Sequence, residues 1–557
     1  MRFACKGLAA PQYAGDTLEA RVHPNRFFAV ATLLLVPAVA HALPSTTPAW
    51  THSGVQDSEQ LGATVVNAGD LNGDGFDDVA AAAPLHDGID QDSGRVHVWF
   101  GSALGLPASA THTFEGANED AHFGTALSSA GDVNGDGYDD LLVGADEHDP
   151  GVGPVGGAFL YAGSASGLST TPVWTAFGEE SNDRFGHAVA GVGDIDGDGY
   201  DDILVGAFRY TDTQVRQGRV YLYRGSSSGP SSSPDWVHTG DDAGENMGES
   251  LAGAGDVNAD GFDDVLIASP GYTGGLEANE GRVRFFFGSA NGLAATPDWM
   301  KESNWWGASM GFSLAGVGDT DGDGFDDVVI GCAPEDITEL TGDRIWLFRG
   351  SATGLPETPD WTAVDAAYPH SHIAVAAAGD VDDDGLADVL VGREVLYLDH
   401  HGDAWLFLGD AGSGLEAEAA WHWTPTEAET LFGSAVAGAD VDGDGLSDLV
   451  VGSRAYNSDE LNQGRVSVYL GDGSTAPGDD DDATGDDDDA GNDDDAGDDD
   501  DAGDDDDSTD EYDPELWGDG GSDRLDESVG CTAAPGDGTP VGFLLVGVLA
   551  ALRLRRR

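Results

Sequence analysis

Short apolar runs separated by polar turns follow one order along the chain, and that order returns seven times between residues 48 and 474. Each copy begins with a run of small residues, such as FGTALSSAGD at 123–132, that leads into an acidic loop. A β-branched run follows (VLI at 265–267), then an alternating or aromatic run (VYLY at 220–223), and last a short run with an aromatic residue such as Trp236. Short runs bounded by Gly, Pro, Asp and Ser predict strands, and helical periodicity is absent.

The copies recur every 60 to 63 residues, which indicates a repeat architecture. Four antiparallel strands per copy, seven times over, predict an all-β seven-bladed β-propeller, because radial closure protects the sheet edges. The chain opens with a strand of the fourth kind at 48–50 and ends its last copy with a strand of the third kind at 466–470. We therefore expect the N-terminal strand to complete the last blade. An open solenoid of the same units is the alternative.

The N-terminal segment has the pattern of a secretory signal. Arg21 and Arg26 precede an apolar stretch at 27–40, and Ala-His-Ala at 40–42 offers a cleavage site. Residues 1–42 are therefore assigned as a signal region, with a buried core segment as the alternative. The propeller is assigned to 43–474.

The C-terminal segment divides into two predicted parts. Residues 475–528 form an Asp-rich linker that cannot bury a core and is expected to be disordered and extended. Residues 529–557 contain Cys531, then an apolar run at 541–552, and last an arginine cluster. That layout resembles bacterial sorting signals of the myxobacterial type, which implies surface or outer-membrane anchoring. The alternative is a plain membrane tail. It would be a marginal one, because the apolar run is shorter than the roughly 20 residues of a spanning helix.

The charge balance narrows the classes of partner. The chain has 23 basic and 103 acidic residues, a formal charge of −80, which disfavours nucleic acid and anionic membrane. Residues 479–513 supply 22 of the acids, so the body keeps a charge of −58. The three cysteines, at positions 5, 332 and 531, are too scattered for a disulfide framework.

Each copy carries one acidic loop with the pattern Asp-x-Asp/Asn-x-Asp-Gly-x-x-Asp. The stretch GDVNGDGYDDLLVG at 131–144 begins like an EF-hand loop but lacks its glutamate and runs on into a strand. Calcium prefers six to eight oxygen ligands, and alternate side chains plus one carbonyl of such a loop can supply them. The loops therefore predict up to seven Ca²⁺ sites. Magnesium fits less well, since it prefers a stiff octahedron and keeps its waters; a solvated turn that binds nothing is the structural alternative.

The predicted ligands occupy the same five positions in every loop. The first-position side chains are Asp70, Asp132, Asp194, Asp256, Asp319, Asp380 and Asp440. The third-position side chains are Asn72, Asn134, Asp196, Asn258, Asp321, Asp382 and Asp442. The fifth-position side chains are Asp74, Asp136, Asp198, Asp260, Asp323, Asp384 and Asp444. The seventh-position carbonyls belong to Phe76, Tyr138, Tyr200, Phe262, Phe325, Leu386 and Leu446. The ninth-position side chains are Asp78, Asp140, Asp202, Asp264, Asp327, Asp388 and Asp448.

Two further positions of the loop support this assignment. The sixth residue is glycine in all seven copies, which predicts a sharp turn with positive φ. The eighth residue is Asp five times but Ala387 and Ser447 in the last two copies, whereas the ninth is always Asp. We therefore expect the ninth residue to coordinate and the eighth not to.

The segment FGTALSSAGDVNGDGYDDLLVGA at 123–145 resembles the FG-GAP repeat of integrin alpha-subunit propellers, and the match extends over all seven copies. Phe-Gly occurs at 123, 185 and 432. Leu-Gly replaces it at 61 and Met-Gly at 247 and 310, whereas blade 6 has Ser371-His372 at this position. The resemblance implies a seven-bladed propeller with calcium between the first and second strands of a blade. No Arg-Gly-Asp tripeptide occurs, so integrin partners are not carried over.

Recognition is expected on the face opposite the acidic loops, where the connections vary most between copies. Trp305 and Trp306 could stack on a sugar there or fold over a blade edge. His370, His372, His400 and His401 could form a transition-metal site or be a chance cluster.

The sequence thus predicts a secreted, surface-anchored, monomeric calcium-binding propeller for adhesion or recognition, with an unidentified protein or glycan ligand. Membrane contact is expected through the C-terminal anchor alone. No catalytic motif stands out, so we do not expect an enzyme. An extracellular lipase or polysaccharide-degrading enzyme and a purely structural surface component are the alternatives.

Overall fold

The computed structural model describes residues 43–471, apart from 275–277, 334–342, 366–370, 396–400, 427–429 and 459–460. The predicted signal region, Asp-rich linker and anchor segment lie outside the described residues. Strands and turns make up the described part, and it includes no helix long and apolar enough to cross a membrane.

The strands follow one another in the predicted order. The first, β1 (Trp50–Ser53), belongs to the last blade. Blades 1 and 2 contain β2 (Thr64–Gly69), β3 (Asp78–Ala83), β4 (Arg95–Trp99), β5 (His112–Glu115), β6 (Phe123–Gly131), β7 (Asp140–Ala145), β8 (Gly157–Tyr161) and β9 (Trp174–Phe177). Blades 3 and 4 contain β10 (Phe185–Gly191), β11 (Ile203–Ala207), β12 (Arg219–Tyr223), β13 (Trp236–Thr239), β14 (Leu251–Gly255), β15 (Asp264–Ser269), β16 (Arg282–Phe286) and β17 (Trp299–Glu302).

Blade 5 contains β18 (Met310–Gly318), β19 (Asp327–Cys332), β20 (Asp343–Phe348) and β21 (Trp361–Asp365). Blade 6 contains β22 (Ser371–Gly379), β23 (Asp388–Val395), β24 (Asp403–Phe407), the small hairpin β25 (Gly409–Asp410) and β26 (Gly414–Leu415), and β27 (Trp421–Trp423). Blade 7 is formed by β28 (Phe432–Ala439), β29 (Asp448–Ser453) and β30 (Arg465–Tyr469), together with β1.

Seven four-stranded antiparallel sheets form the blades, which confirms the predicted seven-bladed propeller. In blades 1 to 6 the strands pair in chain order, whereas blade 7 has the order β28-β29-β30-β1. The register runs from Trp50 opposite Val468 to Ser53 opposite Arg465. The N-terminal strand therefore closes the ring, as predicted.

The hydrophobic core lies between neighbouring blades. Every residue of β3 is buried, so its side chains point alternately to two neighbours. Ala80 and Ala82 pack with Leu141 of blade 2, whereas Val79 and Ala81 pack against blade 7. The second strand of a blade thus packs against both neighbouring blades, which explains why its sequence is an unbroken apolar run.

The Phe-Gly motif lies where the first strand of one blade meets the blade before it. Gly124 has φ of 92°, and a Cβ there would lie 2.6 Å from the Cβ of Ala82 in blade 1. Glycine therefore permits both the turn and the close approach. Blade 6 lacks the motif, yet its first strand β22 spans nine residues and pairs along β23.

Candidate metal centre

The seven acidic loops each connect the first and second strands of a blade, and the antiparallel order places them on one face of the propeller. We call this the acidic face. The connections from second to third strands and from each blade to the next lie on the opposite face. The sixth-position glycines of the loops have φ between 85° and 92°, which confirms the predicted sharp turn.

The first aspartate of each loop organises the turn through backbone hydrogen bonds. Oδ1 of Asp70 accepts the N–H groups of Gly73 and Asp74 at 2.7 and 3.0 Å, and Oδ2 accepts that of Gly75 at 2.9 Å. Equivalent bonds occur in the other six loops. The turn therefore holds the first carboxylate in one orientation.

The ninth aspartate is buried and anchors the loop to the segment that follows the third strand of its own blade. Oδ2 of Asp78 accepts the Leu71 N–H at 3.0 Å, and Oδ1 accepts the Gly101 N–H at 2.9 Å. The second of these bonds recurs in all seven blades. It explains the Gly that ends the third strand in each copy.

The burial of these carboxyls has an electrostatic cost. Burial raises the pKa of Asp78 and of Asp264 to about 8, and the neighbouring loop carboxylates raise it further, although backbone N–H donors oppose the change. Burial likewise raises the pKa of Asp202 and of Asp388 to about 7. A cation beside these groups would favour their charged forms.

Four loops bring three carboxylate oxygens within 4.8 Å of one another. Two oxygens that share a Ca²⁺ at 2.3–2.6 Å lie at most about 5 Å apart, so this spacing fits one ion. The first, third and ninth positions form these groups, and the other three loops have Asn in third position. The groups are Asp194, Asp196 and Asp202; Asp319, Asp321 and Asp327; Asp380, Asp382 and Asp388; and Asp440, Asp442 and Asp448.

Buried oxygens without a hydrogen-bond partner occur at the third position of three loops. They are Oδ1 of Asp196, of Asn258 and of Asp382. A buried oxygen with no donor is costly unless something else binds it. A metal ion at the centre of the loop would satisfy all three, so the residues present fit a cation.

The fifth and seventh positions behave differently from the other predicted ligands. The fifth aspartates are exposed, and Oδ1 of Asp74 accepts the Phe76 N–H at 3.2 Å. They belong to none of the carboxylate groups found among the described residues. At the seventh position the side chain has a structural role: Tyr138 packs over Gly73 of the preceding loop, where a Cβ would lie 2.5 Å from its ring.

The eighth aspartate links one blade to the blade before it. Oδ2 of Asp139 accepts the N–H of Asp70 at 2.8 Å, while the Asp139 N–H donates to the Asp70 carbonyl at 3.3 Å. Four further joints carry the same carboxylate bond, made by Asp77, Asp201, Asp263 and Asp326. Ala387 and Ser447 keep only the backbone bond, at 3.0 and 3.1 Å. Sequence reasoning excluded this position as a ligand but missed its role, because the partner lies one repeat away.

Two loops have an arginine beside the candidate metal position. Arg224 pairs with Oδ2 of Asp196, and Arg349 pairs with Oδ2 of Asp321. Both arginines follow directly on the third strand of the blade. Each offsets one of the four carboxylates in its loop, so these two sites differ in charge from those of blades 6 and 7.

The sequence placed two features on the opposite face, the Trp305–Trp306 pair and the histidine cluster. Trp305 packs on Trp346, with 5.5 Å between ring centroids, and the Arg344 guanidinium lies 3.6 Å from its ring centroid. It thus folds over the edge of blade 5, whereas Trp306 is half exposed. His372 pairs with Glu394 at 3.3 Å, and His370 and His400 lie outside the described residues. The histidine metal site stays a prediction.

Comparison with known proteins gives two kinds of similarity. The family model for the FG-GAP repeat matches residues 62–99, 123–161, 185–223, 247–286 and 432–469, which are the first three strands of blades 1, 2, 3, 4 and 7. The chain is 36% identical to integrin alpha-IIb of Mus musculus over 168 residues, 29% of this chain and 16% of that protein. It is 32% identical to integrin alpha-V of Gallus gallus over 228 residues, 39% of this chain and 21% of that protein.

The chain spans about a fifth or less of the length of these relatives. The five repeat matches all lie within the blades of the propeller. On these grounds the chain carries FG-GAP repeats in five of the seven blades of its β-propeller and is similar to integrin alpha chains.

Proposed function

We propose that the chain is a calcium-stabilised recognition protein, with Ca²⁺ bound in the acidic loops and a ligand bound on the opposite face. The clustering of carboxylates with buried, unpartnered oxygens, as at Asp196 and Asp382, is the observation that carries the calcium part. When bound, the ion supplies charge neutralisation and rigidity and takes no part in chemistry. The chain's own residues orient the ligands through the first and ninth aspartates of each loop.

Calcium is expected to stabilise the fold because the ligand geometry exists only in the folded chain. Binding at about one hundred times the dissociation constant contributes about 2.7 kcal/mol per site. The melting temperature of the full chain should therefore rise with calcium and fall with chelator, whereas magnesium should have a smaller effect. An unchanged melting temperature after chelation would show that the loops are ordinary turns.

A single loop gives a sharper test. Asp382→Ala removes the third-position ligand of blade 6, where Asn would still offer an oxygen as it does in three other loops, and should lower the calcium-dependent rise in melting temperature. Asp212→Ala, on an exposed carboxylate of the opposite face, is the matched control. Equal calcium responses in both variants would count against metal binding in that loop.

The recognition part rests on the scaffold and on the variable opposite face. The connections there differ in sequence from blade to blade on a rigid ring, the usual setting of binding loops. The chain is similar to integrin alpha chains, and this similarity supports a binding role over a catalytic one. We further propose that the chain is secreted and held at the cell surface through residues 529–557.

Arrays of glycans and of surface proteins, probed with the calcium-loaded full chain, test the recognition proposal. We expect at least one ligand whose binding is lost on changing opposite-face residues and kept on changing residues at the blade edges. Turnover of a lipid or polysaccharide in place of stable binding would favour an enzyme.

A further inference from the structure

A pocket of about 310 Å³ lies on the opposite face, between blades 3, 4 and 5. Connections from all three blades form its wall, so its shape depends on the assembled ring. We call it the blade 3–5 pocket. Its side chains are mostly hydrogen-bonding groups around one aromatic ring, and those used below are Arg216, Asn246, Glu249, Asn279, Ser309 and Phe312.

One buried polar atom of this pocket lacks a partner. The Asn246 amide nitrogen donates to Oε2 of Glu249 at 3.0 Å, which orients the side chain. Its Oδ1 is buried and accepts no hydrogen bond. Asn246 also has φ of 56°, and its backbone N–H donates to the Arg216 carbonyl at 3.1 Å. The oxygen is thus held in place and could accept a hydrogen bond from a ligand hydroxyl.

The pocket also has an arginine without an acidic partner. Among the described residues Arg216 forms no ion pair, and neither does the nearby Arg209, whose buried Nε has no acceptor. Burial lowers the pKa of Arg209, and the positive charges of Arg184 and Arg216 lower it further. In a chain of charge −80, two neighbouring arginines that form no ion pair among the described residues are unusual; their charges act on Glu249 of the same pocket without a direct contact between the charged groups.

The carboxylates nearby already have other partners. Asp146 and Glu147 pair with Arg184. Glu249 accepts a hydrogen bond from Asn246; burial raises the pKa of its carboxyl, although the charges of His187, Arg216 and Arg209 and the Asn246 hydrogen bond oppose the change. Arg216 is exposed and free to meet an anion from solution.

We propose that the blade 3–5 pocket binds a uronic-acid residue of an acidic polysaccharide. The sugar carboxylate pairs with Arg216, its hydroxyls bond to Asn246, Asn279 and Ser309, and one face of the ring packs on Phe312. Amide and hydroxyl side chains around an aromatic ring suit a hydroxylated ring better than an extended acidic peptide. This proposal rests on the recognition function above and names its site and ligand class.

The test is calorimetric titration of the calcium-loaded full chain with a hyaluronan hexasaccharide. Its carboxyl-reduced form keeps the hydroxyls and loses the charge, and hexaglutamate keeps the charge and loses the sugar. We expect the hexasaccharide to bind at least tenfold more tightly than either. Equal or tighter binding of hexaglutamate would overturn the proposal in favour of an acidic peptide.

Two variants locate the site. Arg216→Gln should weaken hexasaccharide binding at least tenfold, and Asn246→Gly, which suits the positive φ of that position, should weaken it as well, with melting temperatures close to that of the parent chain. Lys301→Gln, which removes the same charge at the outer edge of blade 4, should bind like the parent. Unchanged affinity in Arg216→Gln would overturn the site. A chain that binds other array ligands but no uronate would refute this inference and leave the recognition function standing.

Discussion

The two adjacent aspartates of the first five acidic loops have different tasks. In blade 2, Asp140 points inward and bonds to Gly163 of its own blade, whereas Asp139 bonds to the first residue of the loop before it. The sequence distinguished the two because the eighth position tolerates Ala387 and Ser447 and the ninth tolerates nothing but Asp. Composition and spacing could not show what the eighth residue contacts, since its partner is 69 residues away.

Removing an eighth-position carboxylate should destabilise one joint between blades. Asp201→Ala leaves the Asp132 N–H without its acceptor at 2.7 Å, and losing a hydrogen bond to a charged group costs about 2 kcal/mol. We expect the free energy of unfolding at saturating calcium to fall by about that amount. Denaturant titration measures it, and Asp212→Ala serves as the exposed control. A loss no larger than that of the control would contradict the linking role.

The arginines beside loops 3 and 5 should weaken calcium binding there. Arg349 occupies Oδ2 of Asp321 and places a positive charge near the ion position. Arg349→Gln should therefore lower the calcium concentration at half-maximal stabilisation of that loop, by roughly tenfold if about 1.4 kcal/mol of repulsion is relieved. Terbium luminescence or calcium titration would detect the change. Arg95→Gln, whose partner Glu115 lies on its own blade, should leave the titration unaltered.

At the scale of elements, the strands were predictable because local pattern determines them. The run of small residues, the buried second strand and the aromatic fourth strand all appear where the sequence placed them. The packing of Tyr138 over Gly73 was not predictable, because it joins successive repeats and leaves no local signature. The same limit applies to the pairing of Arg224 with Asp196 across 28 residues.

A histidine cluster joins blades 2 and 3 on the opposite face. Asp146 accepts from Nδ1 of His187 at 3.0 Å, lies 3.4 Å from Nδ1 of His122, and pairs with Arg184. Burial alone would raise the pKa of Asp146, but the hydrogen bonds from His122 and His187 and the charge of Arg184 hold it well below its usual range. The hydrogen bond to Asp146 raises the pKa of His122.

The signs of these shifts define a pH window. Stability from Asp146 is present above the unfolded pKa of an aspartate, about 4, and is lost as the pH falls through its depressed folded pKa. Stability from His122 is present below the unfolded pKa of about 6.5 and is lost as the pH rises through its elevated folded pKa. His122→Gln should therefore lower the melting temperature more near about pH 5.5 than near about pH 8.5.

His112 provides a control of opposite sign for that comparison. Burial lowers its pKa, so protonation on acidification destabilises the fold. His112→Gln should thus be relatively less harmful near about pH 5.5 than near about pH 8.5. If both variants showed the same pH trend at saturating calcium, the assignment of His122 to the Asp146 cluster would be wrong.

At the scale of the whole molecule, closure depends on one short strand. β1 pairs with β30, and Trp50 packs edge-on against Trp99 of blade 1 with its Nε1 donating to the Pro107 carbonyl. The closure was predictable from the order of strand types at the two ends of the repeat region. The specific contacts of Trp50 were not, because they involve a blade that follows it in sequence and neighbours it only in the closed ring.

Deleting residues 43–53 should expose the edge of β30. An unpaired strand edge invites association, so we expect a lower melting temperature, a less cooperative transition and soluble oligomers. Differential scanning calorimetry and size-exclusion chromatography measure these effects. Deleting 43–48 alone spares β1 and should be close to neutral. Similar behaviour of the two truncations would contradict closure by β1.

The two joints without an eighth-position carboxylate both border blade 6, because Ala387 faces Asp319 of blade 5 and Ser447 faces Asp380 in blade 6 itself. Blade 6 is therefore tied to each neighbour on the acidic face by one hydrogen bond of this kind, whereas the other five joints have two. On heating or under mechanical force, we therefore expect the ring to open first at the two joints that border blade 6. Hydrogen exchange of the Asp319 and Asp380 amides should accordingly precede exchange at the equivalent amides of the other blades, such as that of Asp70. The propeller would then open by releasing a single blade, with the remaining six still fastened in an arc.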